Sequence, residues 1–116
     1  MMNDPISAPG ARAVAVSIVV PVRNEADNIA PLIAEISAAL DGRWAYEIVY
    51  VNDGSTDDTP QRLLTEMAAR PNLRRIDHAR SSGQSAAVRT GVRAAQGDIV
   101  ATLDGTARTI RHSCRT

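Results

Sequence analysis

A chain of 116 residues is long enough for one domain with a modest core. Its formal net charge is zero, so no strong field would draw nucleic acid or an anionic membrane surface to it. Aromatic residues make up only 3% of the chain, which leaves little surface for stacking bases. The single cysteine, Cys114, excludes an internal disulfide, and no segment has the roughly 20 apolar residues of a membrane span.

The first elements are predicted from the positions of proline and glycine and from runs of apolar residues. Residues 1–13 contain two prolines and a glycine without the order of a secretion signal, so we predict a disordered leader of a cytoplasmic protein. The β-branched run over 14–22 predicts a buried strand. Apolar residues at helical spacing over 29–40 predict a helix, which the Asp-Gly pair at 41–42 ends. Residues 46–52 predict a second buried strand.

A second helix is predicted after a polar turn at residues 53–60. Ser55 and Asp58 fit a capping box, whereas Pro60 must lie in the first turn and favours a start at Thr56 or later. The residues predicted to face the core are Leu63, Leu64 and Met67.

The remaining pattern predicts strand, helix and strand. Residues 73–77 carry three charges, which favours a strand at the edge of the sheet. A helix opens after residues 81–83, and a buried strand follows at 98–103. The face that this helix buries is predicted to contain Val88, Gly91, Val92 and Ala95. Strands that alternate with helices predict an α/β fold, a parallel sheet with helices on both faces.

Two of the predicted strands end in a carboxylate, namely Asp53 and Asp104. Ligands of an open parallel α/β sheet bind just beyond the carboxyl ends of the strands. The two acids therefore predict a site for a nucleotide, a metal ion or both. Asp53 also leads into a helix N-terminus, which favours anions.

The loops after the other strands add candidate residues. Arg23, Asn24 and Glu25 follow the first strand, and Arg23 is placed to pair with a phosphate. Gly83 and Gln84 open the third helix, where free backbone N–H groups are predicted to face a diphosphate.

Plainer interpretations of the same residues remain open. Asp53 fits a turn or helix cap, and the loop residues fit ordinary solvated positions. The glycine fingerprint of dinucleotide binders is absent after the first strand, and a Walker loop needs a lysine that the chain lacks. We assign no catalytic role to His78, His112 or Cys114.

Four segments together resemble the family 2 glycosyltransferases of the GT-A fold. They are Val-Val-Pro-Val-Arg-Asn-Glu at 19–25, Val-Asn-Asp-Gly-Ser-Thr-Asp-Asp-Thr at 51–59, Arg-Ser-Ser-Gly-Gln at 80–84, and Gly-Asp-Ile-Val-Ala-Thr-Leu-Asp at 97–104. The resemblance covers residues 14–105. It is strongest to the branch that transfers sugars to polyprenyl phosphates, such as dolichol-phosphate mannosyltransferases.

The resemblance implies a Rossmann-like, nucleotide-sugar-binding half of a GT-A domain. It implies a nucleotide-diphosphate-sugar donor, Mg²⁺ or Mn²⁺, and a polyprenyl-phosphate acceptor. Asp53 would hydrogen-bond the base, and Asp104 would be the first acid of a D-x-D motif that contacts ribose or metal. The residues that would surround the nucleotide are Pro21, Val22, Arg23, Asn24 and Glu25. A hard cation held by carboxylates would neutralise the diphosphate leaving group.

The chain departs from the family pattern where the second acid of that motif is expected, because Thr106 stands there. Residues 106–116 show no strand, helix or turn pattern. We hypothesise a frameshift. One set of codons that can encode the residues from Thr106 onward would, with a single G added in front of it, encode Asp at position 106. Sequencing the DNA around that codon tests this. The chain would then be an N-terminal fragment truncated after about the fourth strand, with no acceptor side and no transferase activity.

Three hypotheses therefore compete. The first is a truncated family 2 glycosyltransferase. The second is a nucleotide-binding α/β module without catalysis that uses only the Asp53 side. The third is a non-enzymatic α/β domain whose carboxylates serve as caps and turns. Donor binding that depends on metal favours the first, and metal-independent binding favours the second.

Overall fold

The computed structural model describes residues 14–103, in which strands and helices alternate as the sequence predicts. Apolar β-branched runs form the strands, and segments with one apolar stripe form the helices. The elements are β1 (Val16–Val22), α1 (Ala26–Leu40), β2 (Tyr46–Asp53), α2 (Thr59–Ala69), β3 (Leu73–His78), α3 (Gln84–Ala94) and β4 (Ile99–Thr102).

The four strands form a parallel sheet in the order β3-β2-β1-β4. Every residue of β1 and β2 is buried, which explains why these strands read as continuous apolar runs. β3 lies at one edge, as its charges predict. The chain moves outward from β1 to β2 and β3 and then returns to the other side of β1 as β4.

Helices cover both faces of the sheet, which confirms the predicted fold class. The apolar stripe of α1 and Leu63 of α2 pack against alternate residues of β1 and β2 on one face. On the opposite face, Ala87 of α3 packs against Val19, Val49 and Val51. Successive side chains of a strand point to opposite faces of the sheet, so the core is divided into two layers.

The helix α3 lies unusually close to the sheet at Gly91. A Cβ atom at this position would be 2.3 Å from Cγ1 of Val19 and 3.2 Å from Cγ2 of Val51. Such a distance is far inside van der Waals contact, so the packing of α3 on β1 requires glycine here.

A buried carboxylate, Glu47 at the amino end of β2, anchors the connection between α3 and β4. It accepts hydrogen bonds from the hydroxyl of Ser17 (2.6 Å) and the backbone N–H of Gln96 (2.7 Å). Arg74 pairs with it at 2.8 Å. Burial raises the pKa of Glu47, but these hydrogen bonds and the arginine outweigh burial and leave the pKa below its usual value.

Three predictions about packing are wrong. Leu64 is 59% exposed and Val92 is 43% exposed, because their neighbours Leu63 and Gly91 take the positions that face the sheet. The last strand is shorter than predicted and partly exposed, with Ile99 at 47%, because β4 is the outer strand of the described sheet.

The predicted capping box is also wrong. The Ser55 hydroxyl accepts the backbone N–H of Asn24 instead of one in α2. The N–H of Thr59, the first residue of α2, donates to the carboxylate of Asp57 at 2.9 Å. The prediction that α2 begins at Thr56 or later, with Pro60 in its first turn, is confirmed.

Candidate functional site

The candidate site is the carboxyl edge of the sheet, where the loops after β1, β2 and β3 lie side by side. Ligands of open α/β sheets bind at the point where the strand order reverses. Here that point lies between β1 and β4. The end of β4 is fixed against β1 by a 2.9 Å hydrogen bond from the N–H of Leu103 to the carbonyl of Val19.

The loop after β1 contains the predicted residues 21–25, which differ in exposure. Pro21 and Val22 end β1 and are buried. Arg23 and Asn24 are exposed, and Glu25 is half-buried. Arg23 and Asn24 are therefore the residues of this loop that solvent, or a ligand, reaches most directly.

Asn24 joins this loop to the one after β2. Its backbone has φ of +56°, a left-handed conformation that asparagine tolerates better than most residues. The side-chain oxygen accepts the backbone N–H groups of Thr56 (2.7 Å) and Asp57 (3.3 Å). In return, the N–H of Asn24 donates to the hydroxyl of Ser55 at 2.9 Å.

Glu25 strengthens the same junction. Its backbone N–H donates to the hydroxyl of Thr59 at 3.1 Å, and its carboxylate accepts the side-chain amide of Asn28 at 2.7 Å. The first two loops are thus cross-linked by backbone and side-chain hydrogen bonds, so their relative position is fixed before any ligand binds.

Asp53, the last residue of β2, organises the loop that leads into α3. Its Oδ1 accepts the N–H of Ser82 (2.8 Å) and contacts Nδ1 of His78 (2.8 Å). Its Oδ2 accepts the hydroxyl of Ser81 and the N–H of Gly83, both at 2.9 Å. Asp53 is only 4% exposed.

The protonation of Asp53 follows from these contacts. Burial raises the pKa of the carboxyl, but the hydrogen bonds from its four partners outweigh burial and lower the pKa to about 2. Asp53 is therefore an ionised carboxylate at neutral pH. An ionised carboxylate only accepts hydrogen bonds, so Nδ1 of His78 carries the proton in their contact.

The loop before α3 passes very close to the loop after β2. A Cβ atom on Gly54, which has φ of +71°, would lie 2.5 Å from the backbone nitrogen of Ser81. Gly83 has φ of +98°, and the exposed Gln84 begins α3. The backbone N–H of Gly83, predicted to face a diphosphate, points to Asp53 instead.

His78 is the residue of this region that sequence reasoning missed. It ends β3 directly beside Asp53 in the strand register. Its Nε2 lies 2.8 Å from the hydroxyl oxygen of Thr90 in α3, which is also 3.0 Å from the carbonyl oxygen of Ala86. The signal was a histidine and an aspartate that each end a strand, but the register that pairs them is not visible in the sequence.

An open cavity of about 500 Å³ lies at the N-termini of α1 and α2. Its lining includes four acidic residues and one arginine; these are Glu25, Asp27, Asp57, Asp58 and Arg62. An excess of carboxylates repels a diphosphate, so this cavity suits a phosphate group poorly.

The predicted metal residues fall outside the described part of the chain. Asp104 and Thr106 both lie beyond residue 103. Within residues 14–103, no group of three or more His, Cys, Asp or Glu side chains is arranged to hold a metal ion.

Comparisons with known proteins identify the family. The model for "Glycosyl transferase family 2" matches residues 17–105. The chain belongs to the family 2 glycosyltransferases. It is similar to a dodecaprenyl-phosphate galacturonate synthase from Rhizobium johnstonii, with 35% identity over 89% of this chain. It is 41% identical, over 77% of this chain, to an undecaprenyl-phosphate 4-deoxy-4-formamido-L-arabinose transferase from Edwardsiella ictaluri.

A solved structure supports the GT-A fold of this family 2 chain. A mannosyltransferase from Pyrobaculum calidifontis, in complex with GDP-Man and Mn²⁺, superposes with a TM-score of 0.72 and 29% identity over 84% of this chain. The chain spans 30% of that structure and 30% and 28% of the two relatives. Among residues 14–103, no helix has the length and hydropathy needed to cross a bilayer.

Proposed function

We propose that residues 14–105 form the nucleotide-binding region of a glycosyltransferase that transfers a sugar from a nucleotide-diphosphate-sugar to a polyprenyl phosphate. The observation that supports this most is the hydrogen bonding of three loops at the carboxyl edge of the sheet. Segment 53–59 holds both the loop at 23–25 and the loop at 81–83. A rigid polar edge of this kind suits recognition of a nucleotide, because binding does not have to order the loops.

The names of the similar proteins support the substrate classes. Both relatives act on a prenyl phosphate by name, and the Pyrobaculum mannosyltransferase holds GDP-Man. The exposed guanidinium of Arg23 is the group we assign to a donor phosphate, since arginine forms charge-assisted hydrogen bonds with phosphate oxygens. It follows β1 directly, and the strand order reverses between β1 and β4.

A divalent cation, Mg²⁺ or Mn²⁺, belongs to this proposal through the family and through the Mn²⁺ of the Pyrobaculum structure. Asp104 is the residue we assign to it. We assign no chemical step to the metal, because Asp104 lies outside the described residues. A cytoplasmic location remains a prediction of the sequence.

The test is an NMR titration of the ¹⁵N-labelled protein with UDP and GDP, each with and without Mg²⁺. We expect saturable shifts in the amides of residues 23–25 and 81–84. Arg23→Ala should weaken binding about fivefold, because it removes a charge-assisted contact. Arg43→Ala is the matched control, since Arg43 is also exposed but lies in the loop between α1 and β2 at the opposite edge.

Two outcomes would argue against the proposal. One is the absence of saturable shifts with either nucleotide. The other is an equal effect of the two arginine variants, which would indicate non-specific attraction of the phosphates. Because Thr106 replaces an acid of the D-x-D motif, a non-catalytic nucleotide-binding module remains the alternative. Binding that is indifferent to Mg²⁺ favours that alternative.

A further inference from the structure

We propose that His78 is a positioning residue of the donor site, which holds one oxygen of the Asp53 carboxylate so that the other oxygen faces the nucleotide. The inference rests on the proposed function, because it concerns the site that would bind the nucleotide. The family resemblance assigns Asp53 to the base, and the inference adds the residue that orients this carboxylate. His78 itself would not touch the ligand.

The position of His78 follows from the strand register. β3 runs parallel to β2, and His78 at the end of β3 pairs with Asp53 at the end of β2. Nδ1 of the imidazole lies 2.8 Å from Oδ1 of Asp53. The two side chains are only 17% and 6% exposed, so little solvent competes for this contact. The sheet therefore fixes both partners of the contact through their backbones.

The second ring nitrogen of His78 fixes the orientation of the imidazole. Nε2 lies 2.8 Å from the hydroxyl oxygen of Thr90 in α3, which is 3.0 Å from the carbonyl oxygen of Ala86. A hydroxyl both donates and accepts hydrogen bonds, so it serves a neutral ring as a donor and a charged ring as an acceptor. The imidazole thus keeps both of its contacts in either protonation state and connects α3 to Asp53.

The two oxygens of Asp53 differ in how firmly their partners are held. Oδ1 is held by the imidazole of His78 and the backbone N–H of Ser82. Oδ2 accepts the backbone N–H of Gly83 and the hydroxyl of Ser81. Ser81 is exposed, so its hydroxyl can rotate to another staggered position and bond water instead. Oδ2 is therefore the oxygen that can accept a hydrogen bond from a ligand N–H group.

Without the imidazole, the direction of Oδ2 would be less well defined. The terminal torsion of an aspartate side chain has a broad preference, so hydrogen bonds and not the covalent geometry set the plane of the carboxylate. Loss of His78 leaves Oδ1 with the N–H of Ser82 alone. A ligand would then have to order the carboxylate as it binds, and that ordering lowers affinity.

The first experiment needs no nucleotide. The ¹⁵N chemical shifts of the His78 imidazole are measured by NMR at an alkaline pH at which the spectrum shows a neutral ring. We expect the proton on Nδ1, because an ionised carboxylate only accepts hydrogen bonds. A proton on Nε2 would overturn the inference, since Nδ1 would then have no hydrogen to donate to Asp53.

The second experiment separates orientation of the base contact from general support of the loops. Affinities for UDP, GDP and ribose 5-diphosphate, which has no base, are compared between the wild-type protein, His78→Leu and His78→Asn. Asparagine keeps a nitrogen donor close to the position of Nδ1. Positioning predicts that His78→Leu binds UDP and GDP about tenfold more weakly and that His78→Asn stays within about threefold of the wild type. Ribose 5-diphosphate should bind equally well to all three proteins.

Two results of this comparison would refute the inference. One is an equal loss of all three ligands in His78→Leu, which would mean that the imidazole supports the loops and not the base contact. The other is a His78→Asn protein that binds UDP as weakly as His78→Leu does, because the retained donor would then have no effect.

Thr90→Val provides a second variant if His78→Leu does not fold. It keeps the shape of the side chain and the contact between His78 and Asp53, but it removes the hydroxyl beside Nε2. We expect a loss of UDP affinity of about threefold. Thr65→Val is the matched control, because the hydroxyl of Thr65 in α2 also donates to the carbonyl four residues earlier. Equal losses in the two valine variants would contradict the inference.

The experiments also distinguish failure of this inference from failure of the proposed function. If the wild-type protein binds no nucleotide, the proposed function fails. The imidazole spectrum still tests whether His78 holds Asp53, because that measurement needs no ligand.

Discussion

Because Asp53 ionises, it should make the free energy of unfolding depend on pH. The substitution Asp53→Asn should remove this contribution. The pKa of Asp53 is about 2 in the folded protein and 3.8 in the unfolded chain. Because the folded pKa is the lower one, its contribution to stability is fully present above the unfolded value. It is lost as the pH falls through the folded value. The window is therefore about pH 5 down to about pH 2.

The size of the effect follows from the same two values. One pKa unit corresponds to about 1.4 kcal/mol, so the gap amounts to about 2 kcal/mol of folding free energy. Asp53 is 4% exposed, and little solvent screens its contacts. Asp53→Asn cannot ionise. The free energy of unfolding of the wild-type protein should therefore fall toward that of the variant by about 2 kcal/mol across this window.

The measurement is urea unfolding of both proteins at a series of pH values between 6 and 2, monitored by circular dichroism. The difference between wild type and variant is the informative quantity, because Glu47 and Asp57 also have lowered pKa values and titrate in both proteins. Asp98→Asn controls for the loss of one surface charge. A difference that stays constant over the whole range would contradict the hydrogen-bond explanation of the Asp53 pKa.

Two further predictions concern packing and loop geometry. Gly91→Ala should lower the free energy of unfolding by about 1–3 kcal/mol despite the better helix propensity of alanine, because its methyl group would overlap Val19. Adding Val19→Ala should recover part of that loss, and a more stable Gly91→Ala protein would contradict the close contact. Asn24→Ala should destabilise by about 1 kcal/mol more than Asn24→Gly, because only alanine is strained at φ of +56°. Equal losses in urea unfolding would show that the left-handed backbone is not maintained.

The sheet could be predicted from the sequence because its central strands, β1 and β2, are buried on both faces. An apolar run such as that of β1 has few other structures open to it, and the alternation with helices implies parallel strands. Helix phase was harder to predict. In α2 and α3 large apolar residues are few, so Leu64 and Val92 were assigned to faces that Leu63 and Gly91 in fact occupy.

The candidate site was predicted only in part, because the residues that contact Asp53 are far from it along the chain. Asp53 was correctly expected at the end of a strand. Its partners Ser81, Ser82 and Gly83 are 28 to 30 residues away in sequence. Whether a carboxylate at a strand end points toward solvent or toward a returning loop depends on that loop, and no local pattern encodes the choice.

The strand β2 contacts both ends of α3. Alternate residues of β2 at 47, 49, 51 and 53 face α3, with a carboxylate at each end and Val49 and Val51 between. Glu47 accepts the N–H of Gln96 after α3, and Asp53 accepts the N–H groups of Ser82 and Gly83 before it.

The two ends of α3 differ electrostatically, and the difference explains why only one end needs a cation. At the N-terminus the negative charge of Asp53 interacts favourably with the positive end of the helix dipole. At the C-terminus Glu47 opposes the dipole, but Arg74 pairs with Glu47 and also donates to the carbonyl of Ala94 at 2.7 Å. One strand thus fixes both ends of the helix through carboxylates six residues apart. A ligand that moves the loop at 81–83 must break the hydrogen bonds that Ser82 and Gly83 donate to Asp53.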